Sequence, residues 1–316
     1  MEYLLHIGII LCIYIILVLS TNLTVGMANL LTMCQAAFYG VGAYIGTYFL
    51  MHFNLPFVLI ALIVMLATGL TSLIISYASV KLKGDYFILG TLGFQMIVYT
   101  ILYNWINVTR GPYGIPCIPS IKLLGIWSLT GIYAYFFFSL VLTVAVALLF
   151  SYLQRSLCDR MLKAYQTDEP SSQASNRSIA KVKIGAFFIS AAFAGMAGLV
   201  YASYVSYIDP TSFTFDESIF IITALFIGGV GSRVWGPIAG AAVVVILPEL
   251  LQFVGLPDAV AANLRQVIYG LVLIVLMFVR PQGLLADAKL KQEPTPPSVE
   301  KPAPAKTSPY TNYSKE

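Results

Sequence analysis

The stretch RSLCDRMLKAYQTDEPSSQASNRSIAKVK, residues 155–183, is a polar island in an otherwise almost charge-free sequence. The apolar runs on either side of it, 132–153 and 184–206, each reach about the 20 residues that a membrane-spanning helix needs. The island must therefore lie in water at one face of a membrane, where a soluble partner can bind it. It holds six of the chain's 18 lysines and arginines: Arg155, Arg160, Lys163, Arg177, Lys181 and Lys183.

The composition of the whole chain also indicates a membrane protein. Of the 316 residues, 59% are hydrophobic and only 10% are charged, whereas about 25% are charged in an average soluble domain. Spanning segments are predicted to be helices, because every backbone polar group must be hydrogen-bonded inside the bilayer. We therefore predict an all-α polytopic integral membrane helical bundle of eight or nine spans, formed by residues 1–286 as one domain.

The distribution of lysine and arginine predicts the orientation of this bundle. If the chain crosses the membrane nine times, most lysines and arginines fall on one side. The positive-inside rule assigns that side to the cytoplasm, so the N-terminus is predicted to lie outside. The short, glycine-rich segment 218–231 could be re-entrant instead of spanning. The predicted spans are 4–20, 27–50, 56–79, 86–103, 132–153, 184–206, 218–231, 237–255 and 266–280.

Residues 287–316 differ in character from the rest of the chain. They read DAKLKQEPTPPSVEKPAPAKTSPYTNYSKE, which is rich in proline, lysine, serine and glutamate and has no apolar period. Such a composition cannot bury a core, so this segment is predicted to be a disordered cytoplasmic tail.

The sequence offers little support for chemistry carried out by this chain. It contains no P-loop, HExxH or GxSxG pattern, so no catalytic residue, metal site or bound cofactor is predicted, nor is nucleic-acid binding. Glu249 is the only carboxylate in a predicted span, and it lies toward the outer end. Because coupling to protons or sodium usually needs ionisable groups near the midplane, the energy for any transport must come from another subunit.

Several polar side chains fall inside otherwise apolar spans. Such groups usually face the bundle interior or a water-filled path, which makes them candidates for a translocation path; hydrogen bonding between helices is an equal alternative. These candidates are Gln35, Tyr39, Tyr86, Thr91 and Gln95. Closely spaced small residues, such as Gly42 and Gly46 or Gly195 and Gly198, predict close helix packing.

The loop at 104–120 is predicted to lie on the outer face. Gly111, Pro112 and Gly114 favour turns that present backbone groups. We predict that Asn104, Trp105, Gly111 and Gly114 face a docking protein or a substrate, although a compact connector would show the same pattern.

The polar island has the features of a docking loop. Arg160–Ala164 is basic and compatible with a helix, and Asp168-Glu169-Pro170 is typical of a helix start. Small residues from Ser171 to Ser175 would allow a partner to approach closely. A merely solvated loop that obeys the positive-inside rule is the alternative.

Several motifs together resemble the LivM-type permease of branched-chain amino acid ABC importers. The resemblance covers roughly residues 20–286, in order and with plausible spacing. The motifs are QAAFYGVGAY at 35–44, KLKGDYFILGTLGF at 81–94, NW at 104–105, TRGPYGIP at 109–116, FIGGVGSRVWGP at 226–237, YGL at 269–271 and RPQGL at 280–284.

The resemblance implies a transport subunit of the bacterial inner membrane. Its partners would be a LivH-like permease, two cytoplasmic ATPases that bind the ATP, and an extracytoplasmic solute-binding protein. It also implies that the island is the ATPase-coupling loop. Pro170 and Asn176 depart from the family's small, glycine-bearing pattern there. The coupling residues carried over are Arg160, Lys163, Asp168, Glu169, Ala174, Asn176 and Lys181.

Three other functions remain open at this stage. Relatives of this family handle urea and short amides, so the substrate could differ from leucine, isoleucine and valine. An ATPase-independent secondary carrier or a non-transporting membrane scaffold would also fit an apolar bundle of this length.

Overall fold

The computed structural model describes residues 2–53, 55–81, 84–123, 127–128, 131–155, 179–252 and 270. All of them belong to the compact unit Met1–Ala286. The predicted tail, the predicted span at 266–280 apart from residue 270, and nearly all of the polar island lie outside the described residues.

Helices dominate the described residues. They are α1 (Glu2–Asn22), α2 (Gln35–His52), α3 (Phe57–Lys81), α4 (Asp85–Asn104), α5 (Ile106–Thr109), α6 (Ile132–Arg155), α7 (Ile179–Val205), α8 (Phe215–Gly228) and α9 (Trp235–Gln252). A π-helical turn, Leu23–Met27, extends α1, and 3-10 turns occur at Gly111–Tyr113 and Pro210–Phe213. Two antiparallel strand pairs lie in the loops: β1 (Ile115–Pro116) with β4 (Tyr207–Ile208), and β2 (Lys122–Leu123) with β3 (Trp127–Ser128).

Five of the described helices are long and apolar enough to cross a membrane. The all-α polytopic prediction is therefore confirmed. Those five segments are Glu2–Met27, Phe57–Tyr77, Asp85–Asn104, Ile132–Gln154 and Lys183–Val205.

The helices run between two faces of the bundle. At one face, Nδ1 of His6 lies 2.6 Å from the hydroxyl of Tyr204, and Tyr3 donates to Glu249. At the other face, Nδ2 of Asn22 donates to the carbonyl of Ser232 over 2.8 Å. We call these the outer and the inner face. α1 therefore runs inward, whereas α7 and α9 run outward.

Charges at the two faces follow the predicted asymmetry. The described residues at the inner face include the cationic positions Lys81, Arg155, Lys181, Lys183 and Arg233. At the outer face, Arg110 and Lys122 occur together with Glu2, Asp209 and Glu249. By the positive-inside rule, this arrangement favours an outer N-terminus.

Two of the predicted membrane-spanning segments are not continuous α-helices. The prediction of a helix over 27–50 was wrong for its first part, because Ala28–Cys34 are not helical and Asn29 has a left-handed backbone with φ of 51°. Helix α8 has 14 residues, about 21 Å at the helical rise per residue, which is shorter than the bilayer's hydrocarbon core. The segment 206–214, which contains a 3-10 turn but no α-helix, leads from the outer face to α8.

Helices α2 and α7 pack with their backbones in contact. A side chain at Gly42 would overlap the backbone of Gly195, and one at Gly198 would overlap the carbonyl of Tyr39. Gly195 also accommodates the side chain of Thr68 from α3. Small residues thus permit the close approach that holds helices together in lipid, as the sequence predicted for these glycines.

Because of this contact, we expect a substitution at Gly42 to lower the stability of the bundle more than the same substitution at Gly93. Gly42→Val should lower the free energy of unfolding by at least about 1–3 kcal/mol, because the added methyl groups force α2 away from α7. Gly93→Val, in α4, is the matched control, because nothing described lies within 4 Å of a Cβ there. Thermal unfolding in detergent measures both. Equal midpoints for the two variants would contradict the close contact.

Candidate functional site

The two interrupted crossings meet inside the bundle through hydrogen bonds to Ser218. The backbone N–H of Ala36, in the first turn of α2, donates to Oγ of Ser218 over 3.0 Å. Ser218 lies in the first turn of α8 and in turn donates to Oε1 of Gln95 over 3.4 Å. Nε2 of Gln95 donates to the carbonyl of Phe213 over 3.0 Å. Ser218 thus joins the starts of α2 and α8, and Gln95 from α4 binds both Ser218 and the residue Phe213 just before α8.

Gln35 makes a second set of contacts, toward α1 and α7. Its Nε2 donates to Oγ of Ser20 over 2.6 Å and to Oγ of Ser190 over 3.4 Å. Ser190 donates to the carbonyl of Ser20 over 2.7 Å. All three side chains are buried. Neutral donors and acceptors from three helices therefore converge at one level of the bundle.

Thr91 provides a hydrogen-bond partner for the non-helical backbone just before α2. Its Oγ1 accepts a hydrogen bond of 3.1 Å from the N–H of Met33 and donates to the carbonyl of Ile88 over 2.8 Å. Non-helical backbone is tolerated at membrane depth only when such partners exist. We call these converging side chains the polar core: Ser20, Gln35, Thr91, Gln95, Ser190 and Ser218.

The polar core lies toward the inner face of the bundle, because Ser20 is two residues before Asn22 on α1. Ser20 is 14 residues further along α1 than His6 at the outer face, which corresponds to about 21 Å of helix. The hydrocarbon core of a bilayer is about 30 Å thick. The polar core is therefore beyond the midplane, closer to the inner face.

Aromatic side chains cover the outer side of the polar core. The ring of Phe213 lies 5.1 Å from Tyr39, 6.0 Å from Tyr44 and 6.2 Å from Tyr201, measured between centroids. Tyr39 and Tyr201 are also neighbours at 5.5 Å. Among the described residues, the buried hydroxyls of Tyr44 and Thr47, further out along α2, find no hydrogen-bond partner.

A buried carboxylate interaction escaped the sequence analysis. Tyr14, in the middle of α1, donates to Oε1 of half-buried Glu217 in the first turn of α8. The expectation that Glu249 is the only carboxylate within a span was therefore wrong. Asp216 and Glu217 are typical of a helix N-terminus. Because such a start is usually in water, nothing in the sequence indicates that this one lies inside the bundle.

The structure brings together four of the five predicted path residues. Gln35, Thr91 and Gln95 belong to the polar core, and Tyr39 belongs to the aromatic cover. Tyr86 lies apart, with 74% of its surface exposed on α4. Their role in translocation remains a prediction.

The predicted outer loop divides into two kinds of residue. Asn104 and Trp105 are exposed at the outer end of α4. Gly111 and Gly114 are buried and have φ of 54° and 68°, which favour glycine. A side chain at Gly114 would meet the hydroxyl of Tyr207 at 2.6 Å. These glycines therefore shape the loop, whereas Asn104 and Trp105 present side chains at its surface.

This outer loop is hydrogen-bonded to the segment that leads into α8. Ile115 pairs with Ile208 and Pro116 with Tyr207 in the β1–β4 ladder. The N–H of Ile118 also donates to the carbonyl of Ser206 over 3.2 Å. The outer loop and the segment 206–208 are therefore joined by backbone hydrogen bonds.

The coupling residues predicted within the polar island lie outside the described residues, with one exception. Lys181 is exposed in the first turn of α7, at the inner face. The others are Arg160, Lys163, Asp168, Glu169, Ala174 and Asn176, whose role in coupling stays a prediction.

The arrangement suits passage of a small polar molecule better than covalent chemistry. Its groups are neutral hydroxyls and amides that can exchange hydrogen bonds with a solute. Among the described residues, no group of three His, Cys, Asp or Glu side chains could hold a metal ion.

The hydrogen bonds of Gln95 predict a measurable contribution to stability. Gln95→Leu should lower the free energy of unfolding by about 1–3 kcal/mol, because buried groups of Phe213 and Ser218 lose their partner. Gln154→Leu is the matched control, since Oε1 of Gln154 has no partner among the described residues. Denaturation in detergent compares the two. A Gln154→Leu variant as unstable as Gln95→Leu would contradict this account of the polar core.

Comparison with known proteins identifies close similarities in sequence. Residues 3–277 match the family described as "Branched-chain amino acid transport system / permease component". No solved structure matches the chain significantly.

Three curated relatives carry the LivM name. The "High-affinity branched-chain amino acid transport system permease protein LivM" of Escherichia coli is 33% identical over 86% of this chain and 68% of its own length. The protein of the same name from Salmonella typhimurium is 30% identical with the same coverage. A "Probable branched-chain amino acid transport permease protein LivM" of Methanocaldococcus jannaschii is 26% identical over 71% of this chain and 65% of its own length.

Proposed function

Because the chain belongs to the family of permease components of branched-chain amino acid transport systems, we propose that it is the membrane permease subunit of an ABC importer for leucine, isoleucine and valine. The observation that carries this proposal is the match to LivM permeases across 86% of the chain. The described fold supports it, because a multi-pass bundle holds a polar core at membrane depth.

The interrupted helices place polar groups inside the apolar bundle. Helix interruptions at membrane depth free backbone groups and helix ends that can interact with a solute. An amino acid that passes must exchange its water hydrogen bonds for new ones. Gln35, Gln95 and Ser218 supply neutral groups for that exchange. Because none of them carries a charge, they hold the solute weakly and permit its release.

Glu217 adds a charge near this path. A carboxylate within a membrane protein is costly to bury and usually serves a function. Its place beside Tyr14, in the first turn of α8, gives the amino group of a substrate a negative group to approach. We propose that it aids entry of zwitterionic substrates into the bundle.

The Glu217 hypothesis predicts a selective loss of transport. Glu217→Gln should reduce the initial rate of leucine uptake at least about tenfold, because the attraction for the amino group is lost, while membrane insertion stays normal. Glu249→Gln is the control, since Glu249 also accepts from a tyrosine but at the outer end. Uptake into vesicles measures both. Equal rates for Glu217→Gln and the unaltered chain would refute a role for this carboxylate.

The energy is proposed to come from two separate ATPases that dock on the inner face through residues 160–183. Lys181 lies exposed at that face, at the end of the proposed coupling loop. A LivH-like permease and an extracytoplasmic solute-binding protein complete the proposed complex, the latter docking near Asn104 and Trp105. The proposed location is the bacterial inner membrane.

The proposal is tested by uptake into proteoliposomes that contain the chain with its partner subunits. Labelled leucine should accumulate only with ATP and the binding protein. Asp168→Arg should abolish that uptake without affecting membrane insertion, because it reverses a charge where the ATPase docks.

Two results would overturn parts of this proposal. Uptake that follows an ion gradient without ATP would indicate a secondary carrier, and normal transport by Asp168→Arg would refute the coupling role. Accumulation of urea or a short amide instead of leucine would replace the substrate but keep the permease assignment.

A further inference from the structure

We propose that a crevice between α3 and α6 binds an acyl chain of a membrane phospholipid, and that this chain stabilises the bundle. The crevice is lined by α3, α6 and α7 and has a volume of about 490 Å³. Pockets that bind small molecules usually measure about 300–1,000 Å³. This inference goes beyond the proposed transport function, because the site takes a lipid whichever solute is transported.

Aromatic contacts mark the two ends of the crevice. At the outer end, Phe57 of α3 lies 4.9 Å from Phe138 of α6, measured between ring centroids. At the inner end, the ring of Phe188 of α7 rests on Gly69 of α3, where an added Cβ would lie 2.5 Å from Cζ of the ring. The crevice is therefore closed along the helix direction and opens sideways.

The lining of the crevice is apolar throughout. α3 contributes most of it, α7 contributes Ala192 and Phe193 among others, and α6 contributes Leu142. A water molecule in a cavity needs about two to four polar partners, and no lining side chain offers one. An empty gap would leave the lining atoms without dispersion contacts on one side. The occupant must therefore be apolar.

The crevice lies at the depth of acyl chains in the outer half of the bilayer. Thr143, the neighbour of Leu142 in α6, donates to the carbonyl of Cys12 in α1 over 3.2 Å. Cys12 is six residues further along α1 than His6 at the outer face, which corresponds to about 9 Å of helix. Half of the hydrocarbon core of a bilayer is about 15 Å thick. Leu142 therefore lies among the acyl chains of the outer leaflet.

The open side of the crevice continues the lipid-facing surface of the bundle. Val58, Leu62 and Leu66 line the crevice and are exposed. Phe137 and Val141 on α6 are exposed as well. Both α3 and α6 contain segments long and apolar enough to span the membrane. The surface from which the crevice opens is therefore covered by acyl chains in the bilayer.

The crevice is too small for a helix of a partner subunit. The lining residues of α3 extend from Phe57 to Leu66, which corresponds to about 14 Å of helix. An α-helix with its side chains is about 10 Å across, so the same length of it would occupy about 1,100 Å³. That is more than twice the volume of the crevice. An acyl chain is much thinner and can reach Ala61 and Ala192, which are buried in the lining.

A variant that fills the crevice with protein atoms tests the site. Ala61→Leu replaces a methyl group of the lining with an isobutyl group. The complete transporter is reconstituted in vesicles of phosphatidylethanolamine and phosphatidylglycerol, with a trace of phosphatidylethanolamine that carries a diazirine in the middle of one acyl chain. After irradiation, mass spectrometry should find Met65 and Leu142 labelled in the unaltered protein. Their labelling should fall at least about fivefold in Ala61→Leu, because a close-packed site has no room for both groups.

Ala145→Leu is the matched control for this experiment. Ala145 lies exposed on α6 and does not line the crevice, so its substitution adds the same atoms to the lipid-facing surface. Labelling of Met65 and Leu142 should then equal that of the unaltered protein. Equal labelling in Ala61→Leu and Ala145→Leu would overturn the proposal. Labelling of Phe137 without labelling of Met65 and Leu142 would also overturn it, because acyl chains would then reach the surface but not the crevice.

Thermal unfolding tests whether the bound chain stabilises the bundle. Removal of lipid by detergent should lower the unfolding midpoint of the unaltered transporter, because the crevice loses its occupant. The midpoint of Ala61→Leu should fall at most about half as far, since the leucine side chain supplies part of the missing contacts. Equal shifts in the two proteins would refute a stabilising lipid.

A second variant keeps the proposal testable if Ala61→Leu does not fold. Ala192→Leu fills the same crevice from α7 and should have the same effects on labelling and on the unfolding midpoint. Both measurements are made without a transported solute and without ATP. Failure of leucine uptake and failure of the lipid site are therefore distinguishable.

Discussion

The structure depends on one constraint: backbone polar groups inside a bilayer need hydrogen-bond partners within the protein. Regular helices meet this requirement by themselves, but the interruptions before α2 and α8 do not. Side chains from elsewhere in the chain meet it instead. Thr91 accepts from the N–H of Met33, Ser218 accepts from that of Ala36, and Gln95 donates to the carbonyl of Phe213. The interruptions and the polar core are therefore one feature, since Thr91 and Ser218, which stabilise the broken backbone, belong to the polar core.

Much of the fold was predictable because the length of an apolar run is a local property. Segments such as 56–79 and 132–153 were found close to their observed bounds for that reason. The interruption at Ala28–Cys34 was not, because these residues are as apolar as their neighbours and contain neither proline nor glycine. Its cause is partly tertiary: Ala28 and Leu30 donate locally, to the carbonyls of Leu23 and Thr24, but the N–H of Met33 binds Thr91 in α4, a contact of which the sequence carries no sign.

The candidate site was predictable to a similar extent. Gln35, Thr91 and Gln95 were conspicuous because a polar side chain in an apolar span is costly unless it is paired. Glu217 fell just outside the predicted segment 218–231, because an acidic helix start inside a bundle cannot be told from one at a membrane surface. Phe213 was not predicted to belong to the site, because it is one of many aromatic residues in an apolar chain. Only its contacts with other residues distinguish it. The proposed importer thus combines residues that are recognisable by polarity with others that only packing reveals.

The contact of α2 with α7 has a consequence for how such a transporter can move. Where Gly42 meets Gly195 and Gly198 meets the carbonyl of Tyr39, the two backbones touch without intervening side chains, so neither helix can slide or rotate past the other. The pair behaves as a single rigid body that carries Gln35 and Ser190 with it. Relative motion is easier where side chains alone make the contact, as between this body and the segment formed by α4 and α8.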